Sequence, residues 1–100
     1  MKAVIATAAG GPEVLEYTDV PEPVAGPGQV LVKVDAAGVN FIDTYRRSGI
    51  YKMNFPHVVG SEGSGHIVAL GQDVTDVAVG DTVAWASAPG SYSEYVVGEA

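Results

Sequence analysis

Three polar side chains in one short segment, GVNFIDTYRRSGIY at residues 38–51, have the types and spacing needed to act on a carbonyl group. Asn40 stands where an apolar, strand-like run ends, and Tyr45 and Tyr51 follow it, six residues apart. A phenol hydroxyl can donate a hydrogen bond to a carbonyl oxygen that gathers negative charge, while the ring stacks on a flat ligand. An amide at a strand-to-helix corner can project into a cleft.

The same segment also has the signals of a short helix over residues 41–48. Asn40 can cap it by accepting a hydrogen bond from the third residue's N–H, Asp43 places negative charge near its positive end, and Gly49 ends it. The residues on one side of this helix would be Ile42, Tyr45 and Arg46. Asn40 as a cap and Asn40 as an active-site amide both remain open, as do packing and ligand-binding roles for the tyrosines.

The glycine-rich run GSEGSG at 60–65 carries Glu62, either as a turn carboxylate bonded to backbone amides or as a charge beside a ligand. Its glycines indicate a sharp bend or a close approach of the backbone to a neighbour. The run precedes a predicted strand, whereas the dinucleotide-binding fingerprint follows a strand and opens a helix. We therefore do not assign it to cofactor phosphates.

Metal binding and serine catalysis have little support in the residue pattern. The chain has two histidines, His57 and His66, and no cysteine, whereas a metal site needs three or four converging ligands. Ser61 and Ser64 lie near His66, but no nucleophile-elbow motif surrounds either serine. We expect no metal.

Composition limits the class of protein. The chain has 100 residues, 47% of them hydrophobic, which suits one globular domain. A net charge of −7 makes nucleic acid an unfavourable partner. No apolar stretch is long enough to cross a membrane, and the lack of cysteine fits a reducing compartment, so we expect a cytoplasmic protein without a membrane partner.

The rest of the sequence predicts strands and irregular loops. Period-two patterns and turn signals delimit strands at 2–7, 14–20, 30–39, 66–71, 82–86 and 92–97. Within 30–39, alternation would place Lys33 and Asp35 on the face of Leu31. The segment 50–60 has no clean period and contains Pro56, so it is predicted to be a loop. Six strands with one short helix indicate a mainly β barrel or sandwich.

Five motifs in order give the chain a family resemblance. They are GGPEVL at 10–15, AGVNFIDTYRRSGIY at 37–51, GSEGSGHIVALG at 60–71, VGDTV at 79–83 and GSYSEYVV at 90–97. Together they resemble the N-terminal catalytic domain of NADPH-dependent quinone oxidoreductases, the zeta-crystallin-like branch of the medium-chain dehydrogenase/reductase superfamily. The resemblance implies a GroES-like, partly open β-barrel.

It also implies a chemistry and a set of site residues. NADPH would supply hydride to a quinone or other conjugated carbonyl compound. Asn40, Tyr45 and Tyr51 match the family's active-site positions, with Asn40 also near the cofactor. Ile42 and Glu62 complete the expected substrate pocket. In the zinc-dependent relatives, a cysteine stands at the position of Asn40 and a histidine at that of Ser61, so the resemblance is to the metal-free branch.

In this family a nucleotide-binding Rossmann domain follows the barrel, and none of it lies within residues 1–100. The resemblance therefore implies a catalytic domain truncated before that domain, inactive alone and homodimeric at full length. Two other functions remain open. One is an enoyl or enal reductase of the same superfamily, and the other is a non-enzymatic, co-chaperonin-like barrel module.

Overall fold

The computed structural model describes residues 1–100 as two antiparallel sheets and one α-helix. The strands are β1 (Lys2–Ala6), β2 (Leu15–Asp19), β3 (Gln29–Gly38), β4 (His57–Val58), β5 (Glu62–Leu70), β6 (Thr82–Trp85) and β7 (Tyr95–Glu99); the helix α1 is Phe41–Ser48, and a 3-10 turn covers Pro12–Val14. The smaller sheet has the order β2-β1-β4 and the larger one β6-β5-β3-β7. The sheets do not close on each other, which confirms the expected mainly β, partly open architecture.

The core lies on the larger sheet, with the longest strand, β3, between β5 and β7. Val30 and Val32 of β3 pack with Ile67 of β5 and Val96 of β7, and all four side chains are buried. Full burial of such a side chain stabilises the fold by about 1.5–3 kcal/mol. The β-branched residues that predicted the strand therefore also hold it in place.

Strand β5 begins earlier than the sequence predicted, because part of the glycine-rich run is strand. A Cβ at Gly63 would lie 2.7 Å from both the Ala36 carbonyl oxygen and the Trp85 ring, and one at Gly65 would overlap the Lys33 carbonyl. Gly60, just before β5, has a φ of 100°, a backbone conformation that favours glycine. The expected close approach is confirmed for Gly63 and Gly65. The predicted strand start at residue 66 is wrong, because these glycines let the chain pair closely with β3 and β6 before that residue.

A register irregularity interrupts the alternation of β3. Val34 pairs with Gly65 and Ala36 with Ser64, so Asp35 has no partner in β5. An extra residue of this kind bends the strand, and the residues after it point to the opposite faces of the sheet from those that simple alternation predicts. The simple two-residue alternation predicted for 30–39 therefore fails at Asp35.

Two further boundaries differ from prediction. The segment expected to be only loop contains β4, whose two residues pair with Ile5 and Ala6 of β1. The last strand is Tyr95–Glu99 instead of 92–97, although Ser93 forms an isolated bridge with Ala3. Tertiary pairing sets both boundaries. The helix α1 has eight residues, and no helix here is long and apolar enough to span a membrane.

Helix α1 spans the predicted residues, and its C-terminal end is fixed to the loop after β1. The Gly10 N–H donates to the Arg47 carbonyl at 3.0 Å, and the Arg47 Nε donates to the Gly10 carbonyl at 3.1 Å. Gly49 ends the helix in the left-handed conformation, with φ 90°. These contacts fix the direction in which the helix presents its side chains.

We expect Gly65→Ala to lower the free energy of unfolding by about 1–3 kcal/mol, because the new methyl group would force β5 away from β3. The matched control is Gly98→Ala in β7, where a Cβ meets nothing within 4 Å. That variant should be as stable as the wild type or slightly more stable. Urea denaturation measures both. Equal stability of the two variants would contradict the close-approach explanation.

Candidate active site

The site begins at the corner between β3 and α1, where Asn40 is the N-cap residue. Its backbone N–H donates to Asp43 Oδ2 at 3.1 Å, and the Asp43 N–H donates to the backbone carbonyl of Asn40 at 3.1 Å. Asn40 and Asp43, at the N-cap and N3 positions, thus form a capping box, and the predicted position of the helix cap is confirmed.

The Asn40 side chain also contacts Glu62 at the start of β5. Its Nδ2 donates to Glu62 Oε2 at 3.3 Å. The Glu62 carboxylate lies over Gly38, where a Cβ would come within 2.8 Å of the Glu62 Cδ. Gly38 thus leaves room for the carboxylate that orients the amide. Glu62 lines an open groove of about 600 Å³, together with Gly38 and Trp85.

Asp43 stabilises the corner between β3 and α1 through hydrogen bonds to its side chain. It is 4% exposed, and its Oδ2 accepts hydrogen bonds from the Asn40 N–H and from the Tyr92 hydroxyl at 3.0 Å. Burial, together with the hydrogen bond to Asp43 and its negative charge, raises the pKa of Tyr92 to about 12. Tyr92 therefore remains a neutral donor across the physiological range.

Tyr45 and Tyr51 form a second pair, on the two sides of the Gly49 turn. Their ring centroids lie 6.3 Å apart at an interplanar angle of 54°, a common geometry for aromatic pairs. The two residues are 41% and 50% exposed. Neither hydroxyl forms a hydrogen bond within the chain, so both remain available to a ligand.

The structure thus forms two pairs from the predicted site residues, Asn40 with Glu62 and Tyr45 with Tyr51, and no hydrogen bond joins the pairs. Ile42, the remaining predicted pocket residue, is half-buried in the first turn of α1. Sequence reasoning missed Tyr92 and the burial of Asp43. The spacing of Asn40 and Asp43 is visible in the sequence, but it does not indicate that Asp43 accepts a hydrogen bond from Tyr92, 49 residues away.

The other candidate groups are dispersed. His66 Nδ1 lies 3.3 Å from Asp35 Oδ2 at the surface, and the His57 ring packs on Phe55 with centroids 5.0 Å apart. Ser61 is buried. No group of three or more His, Cys, Asp or Glu side chains converges in the structure.

Comparison with known proteins identifies the family. The alcohol dehydrogenase GroES-like domain matches residues 26–100. The chain belongs to this family. It is 50% identical over 95 residues to a quinone oxidoreductase of Pseudomonas aeruginosa, a match that covers 93% of the chain and 29% of that protein.

Solved structures agree with this assignment. A mycobacterial quinone oxidoreductase is 47% identical to the chain, with a TM-score of 0.93; the match covers 99% of the chain and 31% of that protein. The Escherichia coli quinone oxidoreductase, complexed with NADPH, is 32% identical with a TM-score of 0.93, covering 97% of the chain and 30% of its own length. The chain thus spans about 30% of the length of these relatives, and its fold is that of their GroES-like region.

We expect the free energy of unfolding to fall as pH rises from 10 to about 12, in part through Tyr92. Its pKa is raised in the folded state, so the unfolded chain loses this proton first, and folding loses the corresponding stability as pH passes through that window. Tyr92→Phe should remove this part of the pH dependence, whereas Tyr17→Phe, at an exposed site in β2, should retain it. Urea denaturation at several pH values measures the difference. Identical pH dependence in the wild type and Tyr92→Phe would contradict the assignment.

Proposed function

We propose that the chain is the substrate-side domain of a longer, NADPH-dependent enzyme that reduces a quinone or a related conjugated carbonyl compound. The observation that carries the proposal is the exposed Tyr45–Tyr51 pair, whose rings and free hydroxyls suit a flat, oxygen-bearing acceptor. The names of the relatives support this substrate class. We further propose that the full-length protein is a cytoplasmic homodimer.

Tyr51 and Tyr45 would have different roles in binding the acceptor. The Tyr51 hydroxyl would donate a hydrogen bond to the carbonyl oxygen as negative charge develops there, while the Tyr45 ring would hold the plane of the acceptor. A quinone accepts hydride readily because its reduced ring is aromatic. A few well-placed donors are therefore a sufficient contribution from the protein.

Asn40 is the residue proposed to contact the cofactor. Asn40 lies just after β3, on the chain segment that leads into the tyrosines, and its amide is held by Glu62 at the start of β5. The glycine-rich run is a bend and a strand, with no helix following it to receive phosphates. Most contacts to NADPH would thus be made by a nucleotide-binding domain outside residues 1–100. When bound, NADPH supplies the hydride.

We propose that the reaction requires no metal. The positions that resemble zinc ligands in related dehydrogenases carry Asn40 and Ser61, and an amide and a hydroxyl are weak ligands compared with thiolate and imidazole. The Asn40 amide already donates to Glu62, and the Ser61 side chain is buried. Hydrogen-bond donors would then take the place of a Lewis acid.

The activity test uses a chimera in which this chain replaces the matching region of the Pseudomonas aeruginosa quinone oxidoreductase, to which it is 50% identical. We expect the chimera to consume NADPH with a quinone and the isolated chain to consume none. Quinone-dependent activity of the isolated chain would overturn the proposed division between domains. Turnover with 2-enals in place of quinones would favour the enoyl reductase alternative.

We expect Tyr51→Phe in the chimera to lower turnover by about 100-fold, the effect of losing one donor to a developing oxyanion, with little change in thermal stability because the side chain is half exposed. Asn40→Ala should lower both turnover and stability, because the contact with Glu62 is lost. The matched control is Tyr17→Phe, which removes a hydroxyl from exposed Tyr17 in β2. Unchanged quinone reduction in Tyr51→Phe would exclude a catalytic role for its hydroxyl.

A further inference from the structure

A small, largely buried cavity lies beneath helix α1, between the helix and the segment that contains β4. Its volume is about 30 Å³, and its polar lining comes from Asp43, Arg46 and His57. By this measure a cavity needs about 10–15 Å³ to hold one water molecule. The cavity is therefore large enough for one water molecule and too small for an organic ligand.

Two buried side-chain atoms in the structure have no hydrogen-bond partner, and they belong to two residues that line this cavity. They are Asp43 Oδ1 and His57 Nδ1. The Asp43 side chain is more than nine-tenths buried, and its other oxygen is already used by Asn40 and Tyr92. Buried polar atoms in native proteins are almost always paired, with protein groups or with ordered water.

We propose that this cavity binds one structural water molecule. The water donates one hydrogen bond to Asp43 Oδ1 and one to His57 Nδ1, with the histidine in its Nε2-protonated form, and accepts a third from the Arg46 guanidinium. Three hydrogen bonds are typical for a buried water. The water connects α1 to β4 and completes the set of partners around the Asp43 carboxylate. It makes His57 a positioning residue for the Asn40 corner, and this inference does not depend on the proposed function.

The main test is NMR on the isotopically labelled 100-residue chain, with water-selected NOE and ROE spectra. We expect cross-peaks of opposite sign in the two spectra between water and protons of Val59 and Gly60, which also line the cavity. Such peaks report direct contact with a long-lived water. Their absence in the wild type would overturn the proposal.

Three variants test the source of the signal. Tyr92→Phe removes the exchangeable hydroxyl closest to Asp43, and the cross-peaks should remain; their loss would assign them to the hydroxyl. His57→Phe should abolish them, whereas His66→Phe, which alters the other histidine, at the surface, should leave them intact. Persistence of the peaks in His57→Phe would exclude the proposed bridge.

A high-resolution crystal structure of the wild-type chain decides the matter independently of whether the variants fold. Density for a solvent atom within hydrogen-bond distance of both Asp43 Oδ1 and His57 Nδ1 would support the site. An empty cavity, or a direct hydrogen bond between the two side chains, would overturn it.

Discussion

The buried carboxylate of Asp43 is the contact on which the position of the candidate active site depends. A carboxylate is costly to remove from water unless hydrogen bonds replace its hydration. One oxygen of Asp43 receives donors from the backbone of Asn40 and from Tyr92, so the start of α1 is joined to the segment before β7. Tyr45 lies on this helix, and the orientation of its ring follows from that junction.

The position of the candidate active site also depends on the close approach of β5 to β3 and β6. Gly38, Gly63 and Gly65 occupy positions where any side chain would meet a neighbouring strand or the Glu62 carboxylate. Their absence of a Cβ lets β5 lie against β3 and β6, and this brings Glu62 to the Asn40 amide. The glycines also reduce the side-chain area available for packing. The buried apolar core is correspondingly small and centres on four residues of the larger sheet.

Much of this arrangement could be predicted from local sequence signals. Alternating β-branched residues indicated β3, and the spacing of Asn40, Asp43 and Gly49 gave the bounds of α1, because these signals act within a few residues. The proximity of Tyr45 and Tyr51 has a local cause too, since one short turn connects the two residues. Its substrate was suggested by family resemblance and not by spacing.

What could not be predicted depends on contacts between distant segments. Tyr92 lies 49 residues from Asp43, and no local pattern reports that hydrogen bond. The irregularity at Asp35 and the two-residue strand β4 exist only because other strands pair with them. The contact of the Asn40 amide with Glu62, 22 residues away, likewise depends on the pairing of β5 with β3.

The paired hydrogen bonds between Gly10 and Arg47 have a consequence for how this domain can diverge. Surface loops usually accumulate changes freely, but the loop after β1 supports the helix that carries Tyr45 from 37 residues away in sequence. A side chain at position 10 would press on Val14, 2.8 Å from its Cγ1. A substitution in this loop would therefore shift the helix that carries Tyr45, so the loop and the helix are expected to change together among homologues.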